Sequence, residues 1–219
     1  MISAMLAMTI SAQDSVSVSA QTKETVRING SVTLLSMTNS TLTGGAFSEK
    51  PAVRGIVSAS YKNFSFILLR NSDLVDQTSG ANLFGFMPGY TKIWGKWSVN
   101  GTLDVEFFDH VKELNLAAPE LTILHKGIVE TEVFMGYART FTSKQNIYIV
   151  RPSVAKCYQG FTFRAYAWYV KWGQDKISFA GEISKQVAPQ WKVSVFGHLN
   201  NVNLSESKTF GAVRGTYAF

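Results

Sequence analysis

The sequence predicts an all-β chain folded as one antiparallel up-and-down barrel of about twelve strands, with ten as the fallback even count. Three observations predict it. Apolar and polar side chains alternate with a period of two in short segments from residue 25 to the last residue, as half-buried strands do. The chain is 46% hydrophobic and 13% aromatic, yet mean hydropathy is only +0.04 because polar residues are interleaved. No apolar run reaches 18 residues, so no helix can cross a bilayer. A chain patterned this way enters a membrane only as a closed barrel, which satisfies every backbone amide between strands.

Bulk properties bound the rest. With 219 residues and no Pro- or Gly-rich linker, residues 13–219 read as one domain. Residues 1–12 are small and apolar and then turn polar, like the end of a secretory signal whose basic start lies upstream. Cys157 is the single cysteine, which excludes an intrachain disulfide and a cysteine-based zinc cluster. The net charge of +6 raises nucleic acid as a partner. The basic residues are scattered about one per strand with no basic helix or aromatic RNA-binding signature, so nucleic acid is not expected.

In order, Val26, Ile28, Val32 and Leu34 share one face of the first strand, residues 25–36, opposite Arg27, Asn29, Ser31 and Thr33. A Ser/Thr/Asn/Gly-rich loop over 37–50 leads to a second strand opened by Pro51. Lys62 and Asn63 turn into residues 64–71, apolar enough that the two faces are ambiguous, and a loop follows to about Pro88. Over residues 90–108, Asn100 and Gly101 read as a type I′ hairpin turn between alternating strands. Ile93, Trp97, Val99, Leu103, Val105 and Phe107 then oppose Lys92, Lys96, Ser98, Asp104 and Glu106. Residues 120–124 make the weakest strand, kept partly for even parity. Glu130 and Glu132 alternate with Val129, Val133, Met135 and Tyr137 in the next. Strands over 146–154, 161–172, 177–184 and 191–200 are separated by turns at 155–160, 173–175 and 187–190.

The last strand, TFGAVRGTYAF at 209–219, sets Gly211, Val213, Gly215, Tyr217 and Phe219 against Phe210, Ala212, Arg214, Thr216 and Ala218. An amphipathic strand ending on Phe resembles the terminal strand of bacterial outer-membrane β-barrels. That family often carries Gly five places before the final aromatic, where this chain has Arg214. The resemblance implies a place in the bacterial outer membrane, contact with its lipid, insertion by the barrel assembly machinery through this strand, and room for further envelope protein partners. Counting from a periplasmic start, all the long connections fall on the outer side, as such barrels show. Trp191, Tyr217 and Phe219 then lie near one rim and Tyr169 and Trp172 near the other, where amphipathic rings meet the lipid boundary.

A Lys or Arg on the lipid side at mid-bilayer costs about 2 to 4 kcal/mol, so the charged faces are assigned to the lumen. The expected pore-lining set is Arg27, Arg54, Lys92, Lys96, Arg164, Lys192 and Arg214 against Asp104, Glu106, Glu130, Glu132 and Glu182, seven cations to five anions, a balance of +2. This predicts a passive channel for small polar or anionic solutes, a class in which small sugar porins resemble the chain in length and strand number. The competing expectation is a lumen plugged by pairing of these charges, in a barrel that serves as a structural or binding subunit of a larger envelope assembly. Catalysis is not expected. His110 follows Asp109 as in barrel proteases, and His198 in GHLNN is similar to the His of lipid A deacylases, but Asn200 stands where that family has its Ser. His125 lies in a turn, each His is expected to be polar and solvated, and no cofactor motif or metal-ligand spacing is present.

Overall fold

The computed structural model describes residues 25–36, 38–39, 46–48, 50–76, 78–204 and 208–219. The expected signal segment, residues 1–12, lies outside the described residues. Each alternating segment forms an antiparallel hairpin with the next. The barrel strands are β1 (Arg27–Leu35), β4 (Ala52–Tyr61), β5 (Phe64–Asp73), β6 (Leu83–Trp94), β7 (Trp97–Phe108), β8 (Leu116–Lys126), β9 (Glu130–Thr140), β10 (Asn146–Tyr158), β11 (Phe161–Trp172), β12 (Gln174–Ala188), β13 (Trp191–Asn200) and β14 (Lys208–Ala218). Because β1 pairs with both β4 and β14, these twelve strands close on themselves. Two short strands, β2 (Thr38–Asn39) and β3 (Ala46–Ser48), form a separate ladder in the first long loop.

The period of two becomes an inside and an outside. Along β10, Ile147, Ile149, Arg151, Ser153 and Ala155 are buried, while Tyr148, Val150 and Val154 are exposed. Around the barrel, Phe66, Leu103, Phe163, Phe179 and Val213 stand exposed on the outer wall, and Arg54, Arg151, Arg164 and Arg214 are buried within. A protein surrounded by water would invert this partition. An apolar outer wall with arginines turned inward is the arrangement that acyl chains select.

One rim carries tight turns and the other the loops. Lys62 (φ 55°), Gly95 (φ 57°) and the Gln159–Gly160 pair (φ 50° and 77°) supply the left-handed residues of three turns at the first rim. The chain leaves the barrel after Leu35, Asp73, Phe108, Thr140 and Asn200 at the other, where Gly173 (φ 72°) alone links β11 to β12. Asp73 anchors the 74–82 loop, its carboxylate accepting from the Val75 and Asp76 amides at 2.9 and 2.8 Å.

At the turn rim the chain closes on its own end. Gly30 and Phe219 exchange both backbone hydrogen bonds at 2.9 Å. A Cβ on Gly30 would lie 2.3 Å from the Phe219 ring, so this glycine gives the final aromatic its seat. Phe219 then follows Tyr217, whose ring packs at a tilt against Trp191, 5.0 Å between centroids.

Several boundaries differ from expectation. Asn100 and Gly101 are not a turn; they sit inside β7, opposite Thr91 and Tyr90, and the chain reverses at Gly95 and Lys96. A turn at 100–101 would leave a seven-residue strand over 102–108, short of the roughly 9–11 residues that span a bilayer. The actual turn gives two strands of 12 residues. Residues 83–88, expected in a loop, open β6. The weak strand at 120–124 is an 11-residue member of the barrel. Cys157 belongs to β10 rather than to a turn, and Gln174 and Asp175 open β12.

Candidate functional site

The candidate site is the barrel interior, where the inward positions of neighbouring strands build two chemically different walls. On β9 to β14 the wall is aromatic and basic. Arg151, 1% exposed, donates from Nη2 to Glu132 Oε1 at 3.0 Å. Its guanidinium lies 4.8 Å from the Phe134 ring, 5.7 Å from Tyr166 and 5.8 Å from Trp168, an arrangement that holds a cation through ring faces as well as a carboxylate. Arg164 donates to Glu130 at 2.6 Å and stands 3.8 Å from the second Glu132 oxygen. Tyr166 donates to Glu182 at 3.1 Å. Trp168 reaches past Ala180 to stack on His198 at 5.3 Å, and Arg214 covers the Phe196 ring at 4.4 Å.

On β7 and β8 the wall is acidic. Asp104 and Glu106 project inward two residues apart, and Glu120 projects from the neighbouring strand, accepting from the Thr102 hydroxyl at 2.9 Å. All three are buried. Among the described residues, neither Asp104 nor Glu106 belongs to an ion pair. In the ring of twelve strands, β7 and β8 stand six places from β13 and β14, so the acidic wall faces Lys192 and Arg214 across the barrel. Arg54 lies between the two, donating to Asn71 at 3.2 Å and within electrostatic reach of both Glu106 and Arg214. Asn71 in turn donates to the Ala81 carbonyl at 2.6 Å, which ties this arginine to the 74–82 loop.

The expected lining residues divide accordingly. Arg54, Asp104, Glu106, Glu132, Arg164, Glu182 and Arg214 are buried on inward faces, and Glu130 and Lys192 are half-buried there near the turn rim. Arg27 is exposed at the first residue of β1, on the turn rim. Lys92 does not face the interior: it pairs with Val99 on the outward face and is exposed. Lys96 is in the turn itself. Moving the turn from 100–101 to 95–96 accounts for both, because it changes the side to which β6 presents its even positions.

Two charged inward residues are missing from the expected lining set: Arg151 lies on a strand apolar on both faces, and Glu120 at the edge of a segment read as too short. His198, expected to be polar and solvated, lies inward among aromatics. With Arg151 and Glu120 included, and Arg27, Lys92 and Lys96 removed, the lining set among the described residues comes to five cations and six anions, −1 in place of the expected +2, and Asp73, buried at the loop end of β5, adds a further carboxylate. His198 is 1% exposed rather than solvated. His110 is exposed on a loop whose Asp109 is held by both Nη atoms of Arg70, at 3.0 and 2.5 Å. His125 packs at a tilt against Trp97, 4.6 Å between ring centroids.

Of the expected boundary aromatics, Tyr169, Trp191 and Phe219 are exposed and Tyr217 is half-buried with its hydroxyl donating to Gln190. Trp172 differs. It occupies an inward position, packs on the interior apolar cluster and donates its indole N–H to Gln145 at the loop rim. The residues of β11 keep a strict alternation from Arg164 through Tyr166, Trp168 and Val170, and that parity carries Trp172 inward.

No family model and no curated protein matches the chain. Solved structures do. The KdgM porin is 13% identical with a TM-score of 0.58, and the alignment covers 89% of this chain and 99% of that one. The same porin in complex with disordered oligogalacturonate gives 14% identity and a TM-score of 0.61, with the same coverage. The NanC porin, 11% identical, covers 88% of this chain and 99% of its own with a TM-score of 0.57. An outer membrane channel from Pseudomonas putida F1 is 10% identical with a TM-score of 0.52, over 92% and 99% of the two chains. At these identities the likeness is one of architecture, and this chain has the twelve-strand barrel fold seen in small outer-membrane porins.

Proposed function

We propose that the chain is a passive channel of the bacterial outer membrane for small polar solutes, anions among them. The observation that carries this reading is the inverted partition of a closed barrel: an apolar outer wall around an interior that bears both arginines and carboxylates. Ionic groups on opposite walls of a narrow bore set the field that a solute meets. Anions are admitted along the arginine side, where Arg54, Arg151, Arg164 and Arg214 are buried. A similar porin is known in complex with oligogalacturonate, a polyanion; the near balance of charge here favours smaller and less charged solutes. The final strand, with Phe219 seated on Gly30, is the surface offered to the barrel assembly machinery, and residues 1–12 are a secretory signal removed on export. Purified protein in planar bilayers is expected to give steady, voltage-independent current steps. Silence from protein that still shows heat-modifiable gel mobility overturns the channel and leaves a plugged structural subunit.

A further inference from the structure

The outer wall is indented where β11, β12 and β13 approach the turn rim. Ala165, Gly181 and Gly197 stand side by side on the outward faces of these strands, paired in register as Ala165 with Gly181 and Gly181 with Gly197. Phe163, Ile183 and Val195 flank the row toward the rim, and Phe179 and Leu199 flank it on the loop side. The result is a cleft of about 520 Å³, whose lining runs from Val129 and Lys156 near the rim to Gly197. Packing of the barrel does not require these glycines. A Cβ on Gly197 would meet nothing within 4 Å, and one on Gly181 only the Arg164 carbonyl oxygen at 4.0 Å. The cleft is one leaflet deep. Gly197 lies six residues from Trp191 at the turn end of β13, so at roughly 3.4 Å per residue and a strand tilt of roughly 40° it sits about 15 Å from the rim. That is half of a hydrocarbon core of roughly 30 Å.

The rim end of the cleft is basic. Lys156 lines it, and Lys185 lays its ammonium over the Phe161 ring at 4.5 Å. Pairing sets Lys156 against Phe163 and Lys185 against Phe161, so the two cations flank one end of β11. Among the described residues neither belongs to an ion pair. An apolar slot of leaflet depth with cations at the headgroup level has the polarity of a single lipid molecule. A second copy seated face to face would bring its own two lysines to the same level and add like charge. We propose that the cleft binds one anionic phospholipid from the leaflet at the turn rim, which is periplasmic in such barrels. An acyl chain lies along Ala165, Gly181 and Gly197, and the phosphate meets Lys156 and Lys185. The inference rests on the apolar outer wall facing lipid and does not depend on whether the lumen conducts.

The test is native mass spectrometry of the whole chain in detergent micelles, titrated with phosphatidylglycerol or with phosphatidylcholine carrying the same acyl chains. One phosphatidylglycerol is expected to bind at a several-fold lower concentration than phosphatidylcholine. G197L, which fills the cleft, is expected to weaken both lipids several-fold. K156Q/K185Q is expected to bring phosphatidylglycerol down to the phosphatidylcholine level and leave phosphatidylcholine unchanged. Heat-modifiable gel mobility reports whether each variant forms the barrel, and the lysine variant leaves the apolar wall of the cleft as it is. Equal binding of the two lipids by the unaltered protein, or undiminished phosphatidylglycerol binding by either variant that forms the barrel, overturns the inference. A dimer that G197L abolishes also overturns it and assigns the cleft to a second copy. Absence of ionic current from protein that still binds one phosphatidylglycerol overturns the channel and leaves this inference standing.

Discussion

Glu132 and Arg151 form the buried ion pair on which the basic wall depends, and removing one partner has a calculable consequence. Their side chains are 0% and 1% exposed, and the pair is closed at 3.0 Å. Glu132→Ala leaves the Arg151 guanidinium charged and desolvated, a loss of about 3–5 kcal/mol for a buried pair broken from one side. Arg164 cannot absorb the change, because its 2.6 Å bond to Glu130 survives and its cation adds to the uncompensated charge. The double variant Glu132→Ala/Arg151→Met behaves differently. Three rings, Phe134, Tyr166 and Trp168, surround the guanidinium within 5.8 Å, so a thioether of similar length packs where the cation was. The double variant is expected within about 1–2 kcal/mol of the parent. Urea unfolding in lipid vesicles, followed by tryptophan fluorescence, measures both. A Glu132→Ala loss below about 1 kcal/mol, in the range of exposed ion pairs, or a double variant no more stable than the single, refutes the account of this wall.

Other expectations follow from geometry elsewhere. Gly101→Thr is expected to be neutral or stabilising by up to about 1 kcal/mol, since a Cβ there meets only the Glu120 carbonyl oxygen at 4.0 Å. Gly95→Val is expected to cost about 1–2 kcal/mol because φ is 57°; the reverse order in urea midpoints would restore the turn to 100–101. Gly30→Val drives a side chain into the Phe219 ring, an overpacking cost of about 1–3 kcal/mol. The fraction of heat-modifiable barrel should fall, and Phe219→Ala in the same chain should restore it. Hydrogen bonding from Arg70, with its charge and that of His110, holds the Asp109 carboxyl below its usual range. The stabilisation is then present above the ordinary carboxylate pKa and lost as pH falls through the depressed one. It stays below about 1 kcal/mol because both side chains are at least a third exposed. Asp109→Asn is expected to lower the urea midpoint at pH 6 and leave it unchanged at pH 2; a gap of equal size at both removes the role of Arg70.

The barrel was legible because lipid enforces the same rule on every strand. Wherever one face is apolar and the other polar or ionic, as at Val32 beside Thr33 or Ile183 beside Glu182, alternation alone assigns the faces. It failed where the interior is itself apolar. Ile147 and Ile149 face inward with Arg151, so β10 shows no contrast between its faces, and its arginine had no face to be assigned to. Ile67 and Leu69 erase the contrast in β5 in the same way. At residues 100–101 a local preference was outvoted. Asn-Gly favours a hairpin turn, but strand length and pairing across two neighbours fix the register, and Gly101 is accommodated between Tyr90 and Leu121.

The two faces of each strand are under unequal constraint. The outer positions need only be apolar, and Val, Ile, Leu and Phe exchange there at little cost in lipid. The inner positions of β9 to β14 contact one another across strands, with Trp168 on β11 touching His198 on β13 and Arg151 on β10 gripping Glu132 on β9. The fold therefore persists to 10–14% identity while the interior is free to change its chemistry, and similarity of the barrel carries no solute with it. On the proposed channel reading, a solute meets acid on β7 and β8 and arginine on β14, and exchanging those side chains is expected to alter selectivity while the outward pattern, and with it the barrel, stays intact.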